Sequence, residues 1–593
     1  MKKLLSANEA VAHAAAQAGC AVASAYPGTP STEILENVAK FKDVIRCEWA
    51  VNEKVAMETA IGASMAGARA LTAMKHVGLN VAMDPLMTFT YVGATGGMVI
   101  VSADDPGMHS SQNEQDNRNL AKFARAPLFE PADSQEAYDM TLAAFEVSER
   151  FRVPAIIRLT TRTSHSSTLV ELGAFAPARR DLIPYKKDIT RNIPVPMFAR
   201  GQRLAAQKRT EALSAAASES PLNKVFMPAN GASKPFGIVT SAVAFQYVRE
   251  IFPDFPVLKL GWTNPLPKAL VRDFASKVAA LVVVEELDPF LEEQLRAMGL
   301  KVLSHETELN MLELNADRVQ NLRHELVGDV AEAKAAPAGA GAGLPTRPPV
   351  LCAGCGHRGV IYGLSKLGAT VTGDIGCYTL GAFPPLNAMD STICMGASIG
   401  NAAGMKKAGL KGRVCAVLGD STFFHSGMTG ALSALYNGTP VTTVVLDNRI
   451  TAMTGHQDNP GTGKTLAGDP APVTDIAEVA KAMGYKKVAR VSADDLGELE
   501  RVLKDAMDGD EGALVIAYAP CRIAAKLTKE GLCEVDPAKC KACGACFKMG
   551  CPAMTRGKEL RPGAFQMVID PSQCAGCIQC SQVCKFGAIK RVR

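Results

Sequence analysis

Residues 412–457 read GRVCAVLGDSTFFHSGMTGALSALYNGTPVTTVVLDNRITAMTGHQ, and this stretch decides the fold. Two Val-rich apolar runs, residues 414–418 and 441–446, have the continuous hydrophobicity of strands buried on both faces of a parallel sheet. Between them, residues 427–437 are small and apolar and close on Asn437-Gly438, which predicts a crossover helix. The product is a strand–helix–strand unit, and such units bind ligands just beyond the carboxyl ends of their strands. Asp420 and Asn448 fall at those two ends, 28 positions apart. A carboxylate and an amide oxygen on adjacent loops, with main-chain carbonyls nearby, suit a hard cation such as Mg²⁺ that also grips a diphosphate. The competing reading is an ordinary nucleotide-fold unit in which Asp420 caps the helix.

The rest of the chain sets bounds on that site. At 593 residues it exceeds one hydrophobic core, and the length suggests about four domains. Apolar content of 47 % and charged content of 21 % describe a globular, soluble composition. The net charge of +5 is spread without any stripe of basic and aromatic residues, so no nucleic-acid partner is expected. The apolar start MKKLLSANEAVAHAAAQ is broken by Asn8, Glu9 and His13, and no apolar run reaches membrane-spanning length; neither signal peptide nor membrane association is expected. Ser6 and Glu9 instead have capping-box spacing for a first helix. Eight of the seventeen cysteines crowd into the last 54 residues at metal-ligand spacing, which fits a reducing, cytoplasmic setting.

Helical and strand signals alternate through three α/β units. In residues 1–180 the signals are helices at 7–16, 52–68 and 133–151, and strands at 46–50, 97–102 and 155–159, a mostly parallel pattern. A polar, Pro-containing connector precedes a second unit within 181–330, with strands at 237–240, 257–260 and 281–285. Residues 331–349, rich in Ala, Gly and Pro, cannot pack a core and read as a linker. The third unit, 350–530, contains the opening stretch. A tail, 535–593, follows a hinge.

In that tail Cys540, Cys543, Cys546 and Cys551 are spaced C-x₂-C-x₂-C-x₄-C, and Cys574, Cys577, Cys580 and Cys584 are spaced C-x₂-C-x₂-C-x₃-C. The pattern resembles bacterial two-cluster ferredoxins, in which the fourth cysteine of each run serves the other cluster. The resemblance implies one [4Fe–4S] on Cys540, Cys543, Cys546 and Cys584, and another on Cys574, Cys577, Cys580 and Cys551. One extra residue before Cys551, and Lys585 where Pro is common, depart from the pattern without removing a thiolate. A pair of Cys₄ zinc sites is the structural alternative.

The opening stretch in turn resembles the thiamine diphosphate motif, GDG followed about thirty residues later by Asn, with Ser421 in place of the usual third Gly. The resemblance assigns Mg²⁺ to Asp420, Asn448 and the main-chain carbonyl of Ile450, and places Gly419, Ser421, Gly376 and Thr454 around the cofactor. NEKVAMETAIGASMAG, residues 52–67, is similar to the pyrimidine-binding segment of 2-oxoacid:ferredoxin oxidoreductases, where a Glu opens an Ala-rich helix. Glu53 takes that place; its bland reading is a charge favoured by the helix dipole, and Glu48 and Glu58 are rivals. The turn YPGTPS, residues 26–31, lies by the substrate in that family, which makes Thr29 the candidate for touching the 2-oxo acid, although Pro27 and Pro30 also suit a merely rigid turn. CAGCGHRG (352–359), GDIGCYTLG (373–381), TGHQ (454–457) and YAPC (518–521) extend the likeness. Cys352, Cys355, Cys377 and Cys521 match positions that hold a third [4Fe–4S] cluster in related enzymes.

The resemblance therefore implies doubly wound thiamine diphosphate-binding domains, pyrimidine then diphosphate. They are separated by a domain like the transketolase C-terminal one and followed by a ferredoxin-like tail. Within the family the arrangement is similar to the larger subunit of the branch that takes aromatic 2-oxo acids. It implies oxidative decarboxylation of an arylpyruvate to an arylacetyl-CoA, with coenzyme A, ferredoxin and a separate smaller beta subunit as partners. Other 2-oxo acids compete, because the pocket is not legible; Lys75 and His76 are cationic candidates for the substrate carboxylate and equally suit a solvated turn. A non-redox thiamine decarboxylase would leave the cysteines idle, and a pure electron carrier would leave Asp420 and Asn448 unexplained.

Overall fold

Seven strands, in the order Trp262–Asn264, Leu128–Phe129, Ala155–Thr160, Met98–Asp104, Arg69–Lys75, Cys20–Ala25 and Arg46–Trp49, form the largest sheet of the computed structural model. The structure describes residues 1–175, 180–228, 234–333, 349–509, 511–526 and 531–592. They divide into two compact units, Met1–Leu344 and Pro345–Arg593.

In the first unit the seven-stranded sheet is parallel except for its Trp262–Asn264 edge. Arg69–Lys75 and Met98–Asp104 are buried along their whole length, as strands covered on both faces by helices must be. Helix Ala7–Gln17 starts with the expected capping box: Ser6 Oγ accepts from Glu9 N at 3.2 Å, and Ser6 N donates to Glu9 Oε2 at 2.9 Å. Helix Glu53–Met65 is capped by Asn52, whose side chain accepts from Val55 N. A second sheet runs Leu281–Val284, Gly237–Ser241, Val257–Leu260 and Lys224–Phe226, with only the last strand antiparallel.

Two features depart from the sequence expectation. The polar connector contains the 24-residue helix Pro196–Glu219, in which only Ala206, Leu213 and Ala217 are buried. The strand Trp262–Asn264, from beyond the expected boundary near residue 180, pairs with Leu128–Phe129 of the first sheet. The two sheets are further joined by fully buried charge. Arg118, paired with Asp116 Oδ2 at 2.5 Å, donates across to Glu285 Oε2 at 2.7 Å, whereas Arg158 stays within the first sheet, donating to Asp104 Oδ2 at 2.6 Å and to Glu130 Oε1 at 2.9 Å.

The second unit has a six-stranded parallel sheet ordered Ser391–Thr392, Thr370–Gly373, Val414–Gly419, Thr442–Asp447, Leu514–Tyr518 and Val488–Ser492. The helical crossover expected at 427–437 begins earlier. Asp420–Thr422 is already helical, Phe423–Gly427 is a π turn, and Met428–Tyr436 completes the segment. Phe423 and Phe424 are buried, and a Cβ on Gly427 would lie 2.5 Å from Leu418 Cδ1, so the widened turn and its glycine seat the helix on the sheet. The ladder Leu532–Val535 with Ile589–Val592 and the hairpin Met554–Arg561 with Ala564–Ile569 frame the tail. The expected linker lies, apart from residues 331–333 and 349, outside the described residues.

The buried carboxyls make stability depend on pH. Burial raises Glu285 and Glu286 each to about 7 from 4.5, against the pull of Arg118 and Arg158. The folded chain then binds more protons than the unfolded chain between pH 4.5 and 7, so stability falls as pH rises through that window. Each carboxyl accounts for roughly 3 kcal/mol at most. Unfolding of the first unit by urea should need more denaturant at about pH 5.5 than at about pH 8, and Glu286→Gln should narrow the gap. A gap of the same width in the variant would contradict this origin.

Candidate active site

The carboxyl edge of the six-stranded sheet gathers the polar residues of the opening stretch. Gly419 ends its strand and Asp420, only 3 % exposed, is the first residue of the helical segment rather than its cap. Asp447 ends the neighbouring strand and Asn448 follows it. Burial pushes the Asp420 carboxyl up to about 7, and the Asp447 charge adds to the shift. Asn459 Nδ2 donates to Asp420 Oδ2 at 3.1 Å. Asp447 is raised as well, chiefly by burial, although Arg449 Nε lies 3.2 Å from its Oδ2. Two carboxylates held together out of water are relieved by a divalent cation, and hard oxygen donors fit Mg²⁺.

The loop beyond Asp447 is tightly folded. Arg449 has φ 58°, in the left-handed region, and sits between the two expected ligands. Ile450 N donates to Asn448 Oδ1 at 3.2 Å, Thr451 Oγ1 to Ser421 Oγ at 2.9 Å, and Thr454 Oγ1 to Gln457 Oε1 at 2.6 Å. The Tyr378 ring packs against both Gly376 and Gly419: a Cβ would meet it at 2.5 Å and 3.3 Å respectively. Gly376, Gly419, Asp420, Ser421, Asn448, Ile450 and Thr454 thus share one edge. Asp447 and Asn459 were not expected there. The Asp-Asn pair at 447–448 was the available signal for the first, and nothing local marks the second.

In the first unit, Glu53 is the opening residue of its helix and 6 % exposed, whereas its rivals Glu48 and Glu58 are exposed. Ser24 Oγ donates to Glu48, and Lys54 pairs with Glu58. Gly78, in helix His76–Val81, abuts the Glu53 carboxylate, and a Cβ there would sit 2.8 Å from Glu53 Oε1. The 26–31 turn follows strand Cys20–Ala25, with Thr29 half-buried and Ser31 N closing on Gly28 O at 2.8 Å. Lys75 lies against this turn: a Cβ on Gly28 would come within 3.1 Å of Lys75 Cβ. The Lys75 ammonium donates to Ser110 O at 2.6 Å and forms no ion pair among the described residues. Burial pushes it down to about 8, with Asp105 opposing. His76 is fully buried, its Nε2 3.2 Å from Asn113 O.

The cysteines form three gatherings, all in the second unit. Cys551, Cys574, Cys577 and Cys580 line one small cavity, the set expected for one tail cluster. Cys540, Cys543 and Cys584 all act electrostatically on Cys546, the other expected set. Cys352 and Cys521 act on Cys377, and Cys352 and Cys377 on Cys355, whose thiols burial pushes up to about 11 and 12. Among the described residues no three or more His, Cys, Asp or Glu are grouped closely enough to hold a metal ion. Cys533, which the spacing did not flag, borders the first gathering, and its N–H donates to Cys574 Sγ at 3.4 Å.

The tail does not hang from a hinge; it is docked on the six-stranded domain. Arg358 donates to Met549 O and Gly550 O in the tail at 2.8 and 2.6 Å, and to Leu351 O and Cys352 O at 2.6 and 3.1 Å. Gly354, with φ +72°, lies so close to the second cysteine run that a Cβ would fall 2.6 Å from Ala575 Cβ. Gln579 Nε2 and Gln582 Nε2 bond Asp494 at 2.7 Å.

Two family profiles match: "Pyruvate flavodoxin/ferredoxin oxidoreductase, thiamine diP-bdg" over residues 13–216, and "Thiamine pyrophosphate enzyme, C-terminal TPP binding domain" over residues 374–517. Proteins named indolepyruvate oxidoreductase subunit IorA are similar over nearly the whole chain. The Archaeoglobus fulgidus protein is 37 % identical over 99 % of this chain and 97 % of its own length. The Methanothermobacter thermautotrophicus protein is 39 % identical, with the same two coverages. The Pyrococcus horikoshii protein is 38 % identical over 100 % of this chain and 97 % of its own length. The chain belongs to the IorA family of indolepyruvate oxidoreductase subunits. It is a subunit of a thiamine diphosphate-dependent, ferredoxin-linked oxidoreductase of 2-oxo acids. No helix among the described residues is long and apolar enough to cross a membrane.

An IorA-family chain should be sensitive to the seat of Glu53. Gly78→Ala displaces a flexible carboxylate rather than backbone, so the melting temperature should stay within a few degrees while turnover falls about 10²-fold. Turnover at the wild-type rate would show that the placement of Glu53 is not critical.

Proposed function

We propose that the chain is the catalytic subunit for oxidative decarboxylation of arylpyruvates, indolepyruvate and related aromatic 2-oxo acids, to arylacetyl-CoA and CO₂ with reduction of ferredoxin. One observation carries the chemistry: the Asp420 edge and three thiol gatherings occupy a single compact unit, which a non-redox decarboxylase would not need. The name of the relatives supports the aromatic substrate. The partners in this reading are a separate smaller beta subunit, ferredoxin and coenzyme A, and the setting is cytoplasmic.

Residues 1–180 carry the pyrimidine site, 181–330 the middle domain, 350–530 the diphosphate and Mg²⁺ site, and 535–593 two [4Fe–4S] clusters. Asp420, Asn448 and the Ile450 carbonyl hold Mg²⁺, while Gly419, Ser421, Gly376 and Thr454 surround the diphosphate. Thiamine diphosphate, when bound, supplies the carbon nucleophile and electron sink that decarboxylation requires. Glu53 holds a proton at the aminopyrimidine, a task suited to a buried carboxylate at a helix start. Thr29 touches the 2-oxo acid from the 26–31 turn. Lys75, a buried ammonium without an ion partner among the described residues, orients the substrate carboxylate, whose charge it lacks. Three cysteine sets would hold [4Fe–4S] clusters as one-electron carriers. They are Cys352, Cys355, Cys377 and Cys521; Cys551, Cys574, Cys577 and Cys580; and Cys540, Cys543, Cys546 and Cys584.

The test is anaerobic reduction of a viologen dye by the chain with its partner subunit, coenzyme A and a panel of 2-oxo acids. Indolepyruvate should give the highest kcat/KM; preference for pyruvate, 2-oxoglutarate or a branched-chain acid would reassign the substrate. Glu53→Gln should bind the cofactor yet turn over about 10²–10⁴-fold more slowly, because an amide exchanges no proton. An unaltered rate would move the role to another carboxylate. Iron analysis of anaerobic protein should give about twelve irons per chain, falling to about eight in Cys352→Ser. About eight in both would leave only the tail clusters.

A further inference from the structure

The first unit carries a cleft at the opposite edge of its sheet from Glu53 and Lys75. It has a volume of about 780 Å³ and is lined by five cations, Arg150, Arg152, Arg191, Lys208 and Arg209, and by no carboxylate. Arg152 and Val92, also in its wall, stand just before strands Ala155–Thr160 and Met98–Asp104, at the amino edge of the seven-stranded sheet. Lys75 ends its strand, and Glu53 follows one, at the carboxyl edge. Seven residues at about 3.3 Å each separate the two edges by ~20 Å, so a diphosphate held in the cleft does not touch Lys75 or Glu53.

Two of the cations have a structural explanation. Arg191 donates to Val92 O at 3.1 Å and Gly93 O at 2.6 Å, and Arg209 donates to the carbonyls of Thr90 and Arg152, so both cap helix ends. That explanation does not cover Arg150, Arg152 and Lys208, which are exposed and in no ion pair among the described residues. The charges also oppose one another. Burial and the Arg152 charge push Arg209 down to about 10, and Arg191 is lowered for the same reasons, with Asp188 the opposing charge. Gln202 Nε2 donates to Thr190 O and Arg191 O at 3.0 and 2.9 Å, which holds the segment that carries Arg191. Tyr91, Phe151 and Phe198 supply aromatic surface.

We propose that this cleft is a binding site for a diphosphate-bearing ligand, of which a nucleoside diphosphate is the source its wall favours. Guanidinium forks pair with phosphate oxygens two bonds at a time. Tyr91 and Phe198 offer stacking to a base, while the Arg150 guanidinium already lies over the Phe151 ring, 4.9 Å from its centroid. The cleft's size lies within the range of roughly 300–1,000 Å³ usual for small-molecule sites.

The experiment is calorimetric titration of the full chain, carrying one equivalent of thiamine diphosphate with Mg²⁺ so that none is free to compete, with ADP and separately with inorganic pyrophosphate. One site per chain is expected, weakening with added salt and at least tenfold weaker in the double variant Arg152→Gly, Lys208→Ala. Both side chains are exposed, and Arg152 has φ 54°, where glycine is free of strain, so the variant should fold; Arg150→Gln is the second variant if it does not. Tighter binding of ADP than of pyrophosphate assigns the nucleotide as the source, and equal binding assigns the diphosphate alone. Three results would overturn the proposal: no saturable binding of either probe, binding that these variants leave unchanged, or binding of a poly-glutamate peptide while both probes fail.

Discussion

Two carboxylates that end adjacent strands of one sheet, Asp420 and Asp447, set the terms for the second unit. The strands are paired Gly419 to Leu446, so the acids that follow are held side by side out of water. Each is raised by burial, and Asp420 further by its neighbour. Such a pair weakens the empty fold by an amount on the order of several kcal/mol, and ligands that bind only the folded state restore it. A divalent cation with a diphosphate is the ligand this arrangement suits. The widened turn at Phe423–Gly427, the glycines around Tyr378 and the folded loop from Arg449 to Gln457 all serve to keep that edge in place.

Arg358 ties the tail to the six-stranded domain. Its guanidinium joins carbonyls on both sides of the boundary between the six-stranded domain and the tail, which fixes the CAGC loop against the end of the first cysteine run. The close approach at Gly354 brings the neighbourhood of Cys352 and Cys355 next to that of Cys577. Fixed, short separations between these thiol gatherings are what the proposed one-electron transfer needs, and a hinged tail would not provide them.

Much of this was legible in the sequence, for reasons that differ between regions. Residues 414–447 announced themselves because buried parallel strands are continuous apolar runs, and the cysteine sets because ligand spacing is local. The central strand Arg69–Lys75 escaped because it begins and ends in cations. Arg69 is satisfied by Glu149 at 2.7–2.9 Å and by Glu146 at 2.5 Å, and Lys75 by Ser110, partners between 35 and 80 positions away that no local pattern contains. Helix Pro196–Glu219 was hidden by its polar surface, and Trp262–Asn264 is too short to carry a period. At the site, Asp420, Asn448 and Glu53 were legible as polar residues ending strands or opening helices. Asn459 was not, since its place beside Asp420 depends on how a loop of eleven residues after Asn448 folds back.

The central claim is that the Asp420 edge holds the cofactor's diphosphate through a divalent cation. Isothermal titration of thiamine diphosphate into the full chain with Mg²⁺ tests it most directly, with Asp420→Ala as the comparison and circular dichroism to confirm that the variant is folded. The account predicts stoichiometric, Mg²⁺-dependent binding to the wild type and no measurable binding to the folded variant. Binding of wild-type strength in Asp420→Ala would contradict it.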